Sequence, residues 1–140
     1  MPLIHRIVID FIPHEHHRYD TLGDWYYVEQ PDGTQLQIMV THTPGKPLYE
    51  QAIAVHELVE ALLCNADGVS QATVDGWDMA TSAGEEPGEE PGCPYRDQHA
   101  TATTIEKIFL RESGEAWWEY ENYLDSLGED ESGQQQPSDK

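Results

Sequence analysis

Basic residues are scarce in this chain, which has 7 Lys and Arg against 27 Asp and Glu and a formal net charge of −20. The acidic residues are spread over both halves of the sequence, and such a surface repels nucleic acid and anionic membranes. The composition therefore argues against a phosphate-binding role and predicts no nucleic-acid or membrane partner. Two interpretations of the charge remain: an ordinary solvated surface that gathers metal cations, or carboxylates that imitate the phosphates of DNA.

Cysteines and long apolar runs are also few. The 2 cysteines, Cys64 and Cys93, are too few for a disulfide framework. No apolar run approaches the roughly 20 residues that span a bilayer, and the first residues lack the pattern of a secretory signal. Phosphate-binding loops and the serine-hydrolase Gly-x-Ser-x-Gly pattern are missing as well. We therefore expect a soluble cytoplasmic protein.

The pattern of apolar residues predicts one α+β domain over residues 1–127. A β-branched run from Ile4 to Ile12 predicts a strand, and two alternating segments flank Pro31-Asp32-Gly33, a strong hairpin signal. We expect a three-stranded antiparallel sheet followed by about four helices, near residues 47–64, 70–80, 97–111 and 115–127. The loop 84–94, with its Gly-Glu-Glu-Pro repeat, is expected to be exposed and mobile, and 128–140 to form a disordered, polar, acidic tail.

The helix near residues 47–64 carries the main functional signal. Between Ala52 and Cys64 the only polar side chains are those of His56, Glu57 and Glu60. At about 100° per residue they share one side of the helix. Buried carboxylates are unfavourable unless they are paired or bind a metal, and no basic residue lies within ten positions of Glu57. The pattern His-Glu-x-x-Glu is one residue away from the His-Glu-x-x-His zinc helix, so it predicts a metal site.

A catalytic zinc site has three protein ligands and one position open to water. His56 and Glu60, four residues apart, would supply two of them, and His99 is the candidate for the third because it lies in the first turn of the next long helix. Glu57 would act as general base on a water molecule at the site. Asp78 would orient a ligand histidine or serve as a fourth ligand. The alternatives are that His99 and Asp78 are exposed helix residues.

Two neighbouring features have simpler interpretations. Cys64 could approach the site from two turns along the helix, although a small buried apolar role is more usual. His14, His16 and His17 could chelate a surface metal, but a polar loop imposes no fixed ligand geometry. On the helix that carries His99, we expect the buried stripe to be apolar: Ala102, Ile105, Ile108 and Phe109.

The sequence also resembles proteins encoded by phages and prophages that carry a zincin-like, metallopeptidase-type domain. The residues that carry the resemblance are Ile12-Pro13-His14-Glu15, Arg18-Tyr19, Gly23-Asp24-Trp25, the helix segment from His56 to Cys64, Asp75-Gly76-Trp77-Asp78 and His99-Ala100-Thr101. It implies a zincin-like fold, in which a small sheet packs on the metal helix, and a bacterial host cytoplasm. The chain departs from true zincins at Glu60, which replaces the second histidine, and no His-x-x-Gly-x-x-His continuation follows.

Together these features predict a zinc-dependent hydrolase of the metallopeptidase type that acts on a peptide or protein. A non-catalytic protein whose zinc stabilises a small fold is the first alternative, and an acidic DNA-mimic inhibitor is the second. A water-accessible coordination position would favour the enzyme, and a fourth protein ligand would favour the structural site.

Overall fold

The computed structural model describes residues 2–81 and 86–135, with only the backbone beyond residue 127. The strands are β1 (Ile4–Ile12), β2 (Gly23–Gln30) and β3 (Gly33–Thr41), and the helices are α1 (Pro47–Asp67), α2 (Gln71–Ala80), α3 (Arg96–Glu112) and α4 (Trp117–Gln135). Single 3-10 turns lie at His14–His16 and Pro87–Glu89. A three-stranded sheet followed by four helices confirms the α+β class. None of the described helices is both long and apolar enough to cross a membrane.

The sheet is mixed, so the prediction of an antiparallel sheet is wrong for one strand. The strand order is β1-β3-β2, with β2 and β3 paired as the predicted antiparallel hairpin and β1 parallel to β3. The segment 13–22 between β1 and β2 is long enough to leave the width of one strand between them, and β3 occupies that position. Alternation of apolar residues indicates which face of a strand is buried but carries no information about strand direction.

The core lies between one face of the sheet and α1. Leu36, Ile38 and Val40, which alternate along β3, are fully buried, as their spacing predicts. Helix α1 packs over β2 and β3 and also against α3. Pro47 occupies the first turn of α1, where its missing N–H is tolerated. Gly68 ends the helix with a left-handed φ of 76°.

The later helices differ from prediction mainly in their bounds. Ser70 caps α2 by accepting a hydrogen bond from the Thr73 backbone N–H. Helix α4 continues to Gln135 instead of ending near Leu127, so residues 128–135 of the predicted disordered tail are helical. The remaining tail residues, 136–140, lie outside the described residues, as do Gly84 and Glu85 of the predicted loop.

Candidate metal centre

Three buried side chains converge where α1 packs against α3. His56 Nε2 lies 3.3 Å from Glu60 Oε2 and 3.2 Å from His99 Nδ1. His99 Nδ1 lies 2.9 Å from the same Glu60 oxygen. These three residues form the one group of potential metal ligands within the described part of the chain, and they could hold a metal ion. The structure thus brings together the three residues that the sequence analysis proposed as ligands.

The spacing of the three atoms fits a tetrahedral ion. Ligands at the roughly 2.0–2.1 Å typical of zinc lie about 3.3 Å from one another in a tetrahedron. The three distances of 2.9, 3.2 and 3.3 Å are close to that value, so an ion could enter with small movements of the side chains. Two imidazole nitrogens and one carboxylate oxygen are also a ligand set that zinc accepts.

The orientation of His56 is fixed by residues that the sequence analysis missed. His56 Nδ1 lies 2.8 Å from Glu106 Oε1, and the Tyr120 hydroxyl donates a hydrogen bond to the other oxygen of Glu106. Metal-binding histidines commonly donate their second ring N–H to a carboxylate in this way, which leaves the opposite nitrogen free to bind the metal. The contacts therefore turn Nε2 of His56 towards the cluster.

Glu106 was missed because the stripe of α3 was expected to be apolar. The buried residues of α3 are His99, Ala102, Glu106 and Leu110. The prediction is confirmed for Ala102 and in part for Phe109, which is half-buried against the core, but it is wrong for Ile105 and Ile108, which are exposed. The signal was present in the spacing, since Glu106 follows His99 by seven residues, or about two helical turns, and must share its face.

The two oxygens of Glu60 have different partners. The Trp25 indole N–H donates a hydrogen bond of 3.1 Å to Glu60 Oε1, while Oε2 faces the two imidazoles. Because β2 carries Trp25, the sheet fixes the orientation of this carboxylate. The hydrogen bond leaves one oxygen of Glu60 for a metal ion and favours single-oxygen coordination.

Without a metal, the cluster balances its charges through protonation. Burial lowers the pKa of His56, but hydrogen bonds with Glu106 and Glu60 outweigh it and raise that pKa to about 11. Burial likewise opposes the charge of Glu60, but hydrogen bonds from His56 and His99 lower its pKa to about 2. A positive imidazolium therefore lies between negative carboxylates, in the place where a cation would bind.

Glu57 differs from its neighbours because it has no hydrogen-bond partner among the described residues. It is half-buried, and its side chain packs on the backbone of Gly23, where an added Cβ would lie 2.7 Å from Glu57 Oε2. Burial and the charge of Glu60 raise the pKa of Glu57 well above its usual value. This unpaired carboxylate lies next to the cluster without belonging to it.

Asp78 is not brought into the cluster. Its carboxylate accepts hydrogen bonds from the hydroxyls of Tyr19 and Tyr95. Burial raises the pKa of Asp78 to about 6, although both hydrogen bonds act in the opposite direction. The link to the site is indirect, because the ring of Tyr95 packs edge-on against that of His99, with centroids 6.4 Å apart. A direct role for Asp78 in holding the metal remains a prediction.

The segment after the undescribed residues 82–85 packs on the site. Gly88 is buried, and a Cβ built on it would lie 2.3 Å from Cγ of His99. The Trp77 indole N–H holds the segment through a hydrogen bond of 2.8 Å to the Pro87 carbonyl. The prediction of an exposed loop is therefore wrong at Gly88. No local pattern in the sequence indicates this contact.

Neither of the two simpler features joins the metal group. His17 and His14 lie 2.9 and 3.3 Å from the Thr41 hydroxyl, respectively, so both are attached to the end of β3. Cys64 is fully buried in the hydrophobic core, which confirms the more usual role predicted for it.

The chain matches no protein-family model, and neither the curated proteins nor the solved structures include a significantly similar one. The function must therefore be inferred from the geometry of the site itself. A phage or prophage setting and a zincin-like fold both remain predictions.

Proposed function

We propose that this protein is a zinc-dependent hydrolase of the metallopeptidase type. The observation that carries the proposal is the convergence of His56 Nε2, Glu60 Oε2 and His99 Nδ1 at distances of 2.9–3.3 Å, with an unpaired carboxylate beside them. Three protein ligands are the number found in catalytic zinc sites, which keep a fourth position for water or substrate.

The protein residues divide into three roles. His56, Glu60 and His99 would hold the zinc, and Glu106 and Trp25 would orient two of those ligands. A bound zinc would act as a Lewis acid that lowers the pKa of water. Hydrolysis of a peptide adds water to the carbonyl carbon and breaks the C–N bond, with one proton passing to the departing amine. Glu57 would carry that proton, because no other described residue forms a hydrogen bond with its carboxylate.

A structural zinc site is the second candidate, and one observation favours it. The backbone at Gly88 lies against the ring of His99. Desolvation raises the pKa of the nearby Glu86, while the charges of His99 and His56 act in the opposite direction. If the Glu86 carboxylate completed the coordination sphere, four protein ligands would surround the metal, as in structural sites. Glu86→Gln would then release zinc, whereas in the enzyme it would leave the zinc content unchanged.

The decisive variant is Glu57→Gln, which keeps the size of the side chain and removes the base. The protein should purify with about one zinc ion per chain, and the variant should retain that zinc while losing roughly 10²–10⁴-fold in the rate of peptide hydrolysis. Elemental analysis and cleavage of casein or a peptide library measure the two quantities. Glu112→Gln, on the exposed surface of α3, is the matched control and should change neither.

Each alternative result has a clear meaning. Loss of zinc from Glu57→Gln would make Glu57 a ligand and refute the assigned roles. A zinc-bound wild type that cleaves none of the peptides and proteins offered would support the structural site. A wild type that binds no zinc would refute both candidates.

A further inference from the structure

One edge of the sheet has no partner in the described structure. Strand β1 pairs with β3 on one side only, which leaves the backbone groups on its other side unpaired. The opposite edge, formed by β2, is covered: the Tyr27 backbone N–H donates a 2.8 Å hydrogen bond to Gln71 of α2, and the guanidinium of Arg18 stacks 4.6 Å above the ring of Tyr26. Part of the β2 edge is therefore occupied by other segments, whereas none of the described residues extends the sheet beyond β1.

Apolar side chains line the same open strand. Ile7, Ile9 and Phe11 are 44, 36 and 42% exposed. They lie in register with Leu36, Ile38 and Val40 of β3, respectively, and so point to the face of the sheet that carries the core. Helix α1 packs over β2 and β3 on that face, and these three side chains lie beyond its cover. They continue the hydrophobic layer of the core to the edge.

The charges on the opposite face of β1 indicate what could pair with it. Arg6 and Asp10 are both exposed, and Arg6 has no ion-pair partner among the described residues. Two β1 strands can pair antiparallel about a two-fold axis at Val8. Arg6 then lies directly opposite Asp10 of the partner subunit, and Asp10 lies opposite Arg6 of the partner subunit. The same register sets Ile7 opposite Ile9 of the partner subunit.

We propose that two copies of this chain associate through antiparallel pairing of their β1 strands, centred on Val8. The pairing would join two three-stranded sheets into one of six strands. Antiparallel pairing preserves the alternation of inward and outward backbone groups, so the register can shift only by steps of two positions. The two registers nearest to this one place Arg6 opposite Val8 of the partner subunit or opposite Ile12 of the partner subunit, so neither forms the two charge pairs. The charge pattern therefore selects one register and one occupant, a second copy of the chain.

Charge exchange across the two-fold axis tests this proposal. Sedimentation equilibrium at physiological ionic strength should show a reversible dimer of the wild type. Arg6→Asp sets two acids opposite each other in both pairs, and Asp10→Arg sets two bases opposite each other. Each should raise the dimer dissociation constant by about tenfold or more. The double variant Arg6→Asp/Asp10→Arg restores opposite charges and should return the constant close to the wild-type value.

Two variants distinguish specific pairing of the β1 strands from a general effect of net charge on association. Asp10→Arg makes a strongly acidic protein less acidic, which by itself would favour association, yet it should weaken the dimer. Arg111→Asp, on the exposed surface of α3, produces the same change of net charge as Arg6→Asp and should leave the dimer unchanged.

Three results would overturn the proposal: a wild type that remains monomeric at its highest soluble concentration, a dimer insensitive to both single variants, or a double variant that stays as weak as the single ones. Circular dichroism verifies that the variants fold. If they do not, hydrogen exchange of the wild type decides. Dimerisation should slow exchange of the outward amides of β1 as concentration rises, and exchange independent of concentration would refute the pairing.

Discussion

Replacing Gly88 with alanine should damage the metal centre through a single methyl group. Gly88 has an ordinary backbone conformation, since it is not among the glycines with positive φ, so alanine adds no backbone strain. Its Cβ, however, would lie 2.3 Å from Cγ and 2.4 Å from Nδ1 of His99. Carbon atoms in contact are about 3.5–4.0 Å apart, so the ring or the turn must move by more than about 1 Å.

That movement is large compared with what a metal site tolerates. Metal–ligand distances vary by about 0.2 Å, and the hydrogen bond from Trp77 to the Pro87 carbonyl resists movement of the turn. We therefore expect Gly88→Ala to weaken zinc binding by at least about 10–100-fold, the effect typical of losing an orienting contact. Overpacking should also lower the free energy of unfolding by about 1–3 kcal/mol.

Two other glycines provide matched controls. Gly76 lies inside α2 with no atom within 4 Å of an added Cβ, so Gly76→Ala should keep zinc and stabilise the helix by about 0.5–1 kcal/mol. Gly23→Ala would displace the side chain of Glu57 and should keep zinc while reducing hydrolysis. Competition with a zinc chelator and thermal unfolding measure these effects. Unchanged zinc affinity in Gly88→Ala would refute the role given to the turn.

Three further predictions concern the residues around the site. Glu106→Gln should weaken zinc binding about 10–100-fold in chelator competition, because His56 loses its charged partner; unchanged affinity would contradict this. Arg18→Lys should lower the free energy of unfolding in urea by about 1–3 kcal/mol, because lysine cannot replace the two-pronged contacts of 2.8 and 2.9 Å with buried Asp24; a neutral result would show that the pair contributes little. The raised carboxyl pKa of Asp78 makes the metal-free wild type lose stability as pH rises from 3.8 to about 6. Over that range the free energy of unfolding of metal-free Asp78→Asn should therefore rise relative to that of the wild type, by at most about 3 kcal/mol. A difference in the free energy of unfolding that does not change with pH would refute the pKa shift.

The parts of the site that follow from helix periodicity could be predicted from the sequence. His56 and Glu60 are one turn apart in an apolar helix, and burial of their polar groups requires a partner, so the sequence indicates a metal site directly. The hairpin of β2 and β3 was equally accessible, because an Asp-Gly turn between alternating segments is a local signal.

Some of the missed features depend on contacts between segments that are distant in the sequence. Another was missed because the buried face of α3 was expected to be apolar. The parallel pairing of β1 depends on the path of residues 13–22, which alternation does not encode. The packing of Gly88 on His99 joins two segments through the tertiary fold, and a glycine carries no side-chain pattern. Glu106 was missed because the buried stripe of α3 was expected to be apolar, although a buried histidine ligand needs a carboxylate or a similar partner.

Diffraction at the zinc absorption edge from crystals of the zinc-loaded protein would show whether His56, Glu60 and His99 bind one zinc ion. We expect one anomalous peak at about 2.0–2.2 Å from His56 Nε2, Glu60 Oε2 and His99 Nδ1. A peak bound by other residues, or no peak between these three side chains when zinc is in excess, would contradict this expectation.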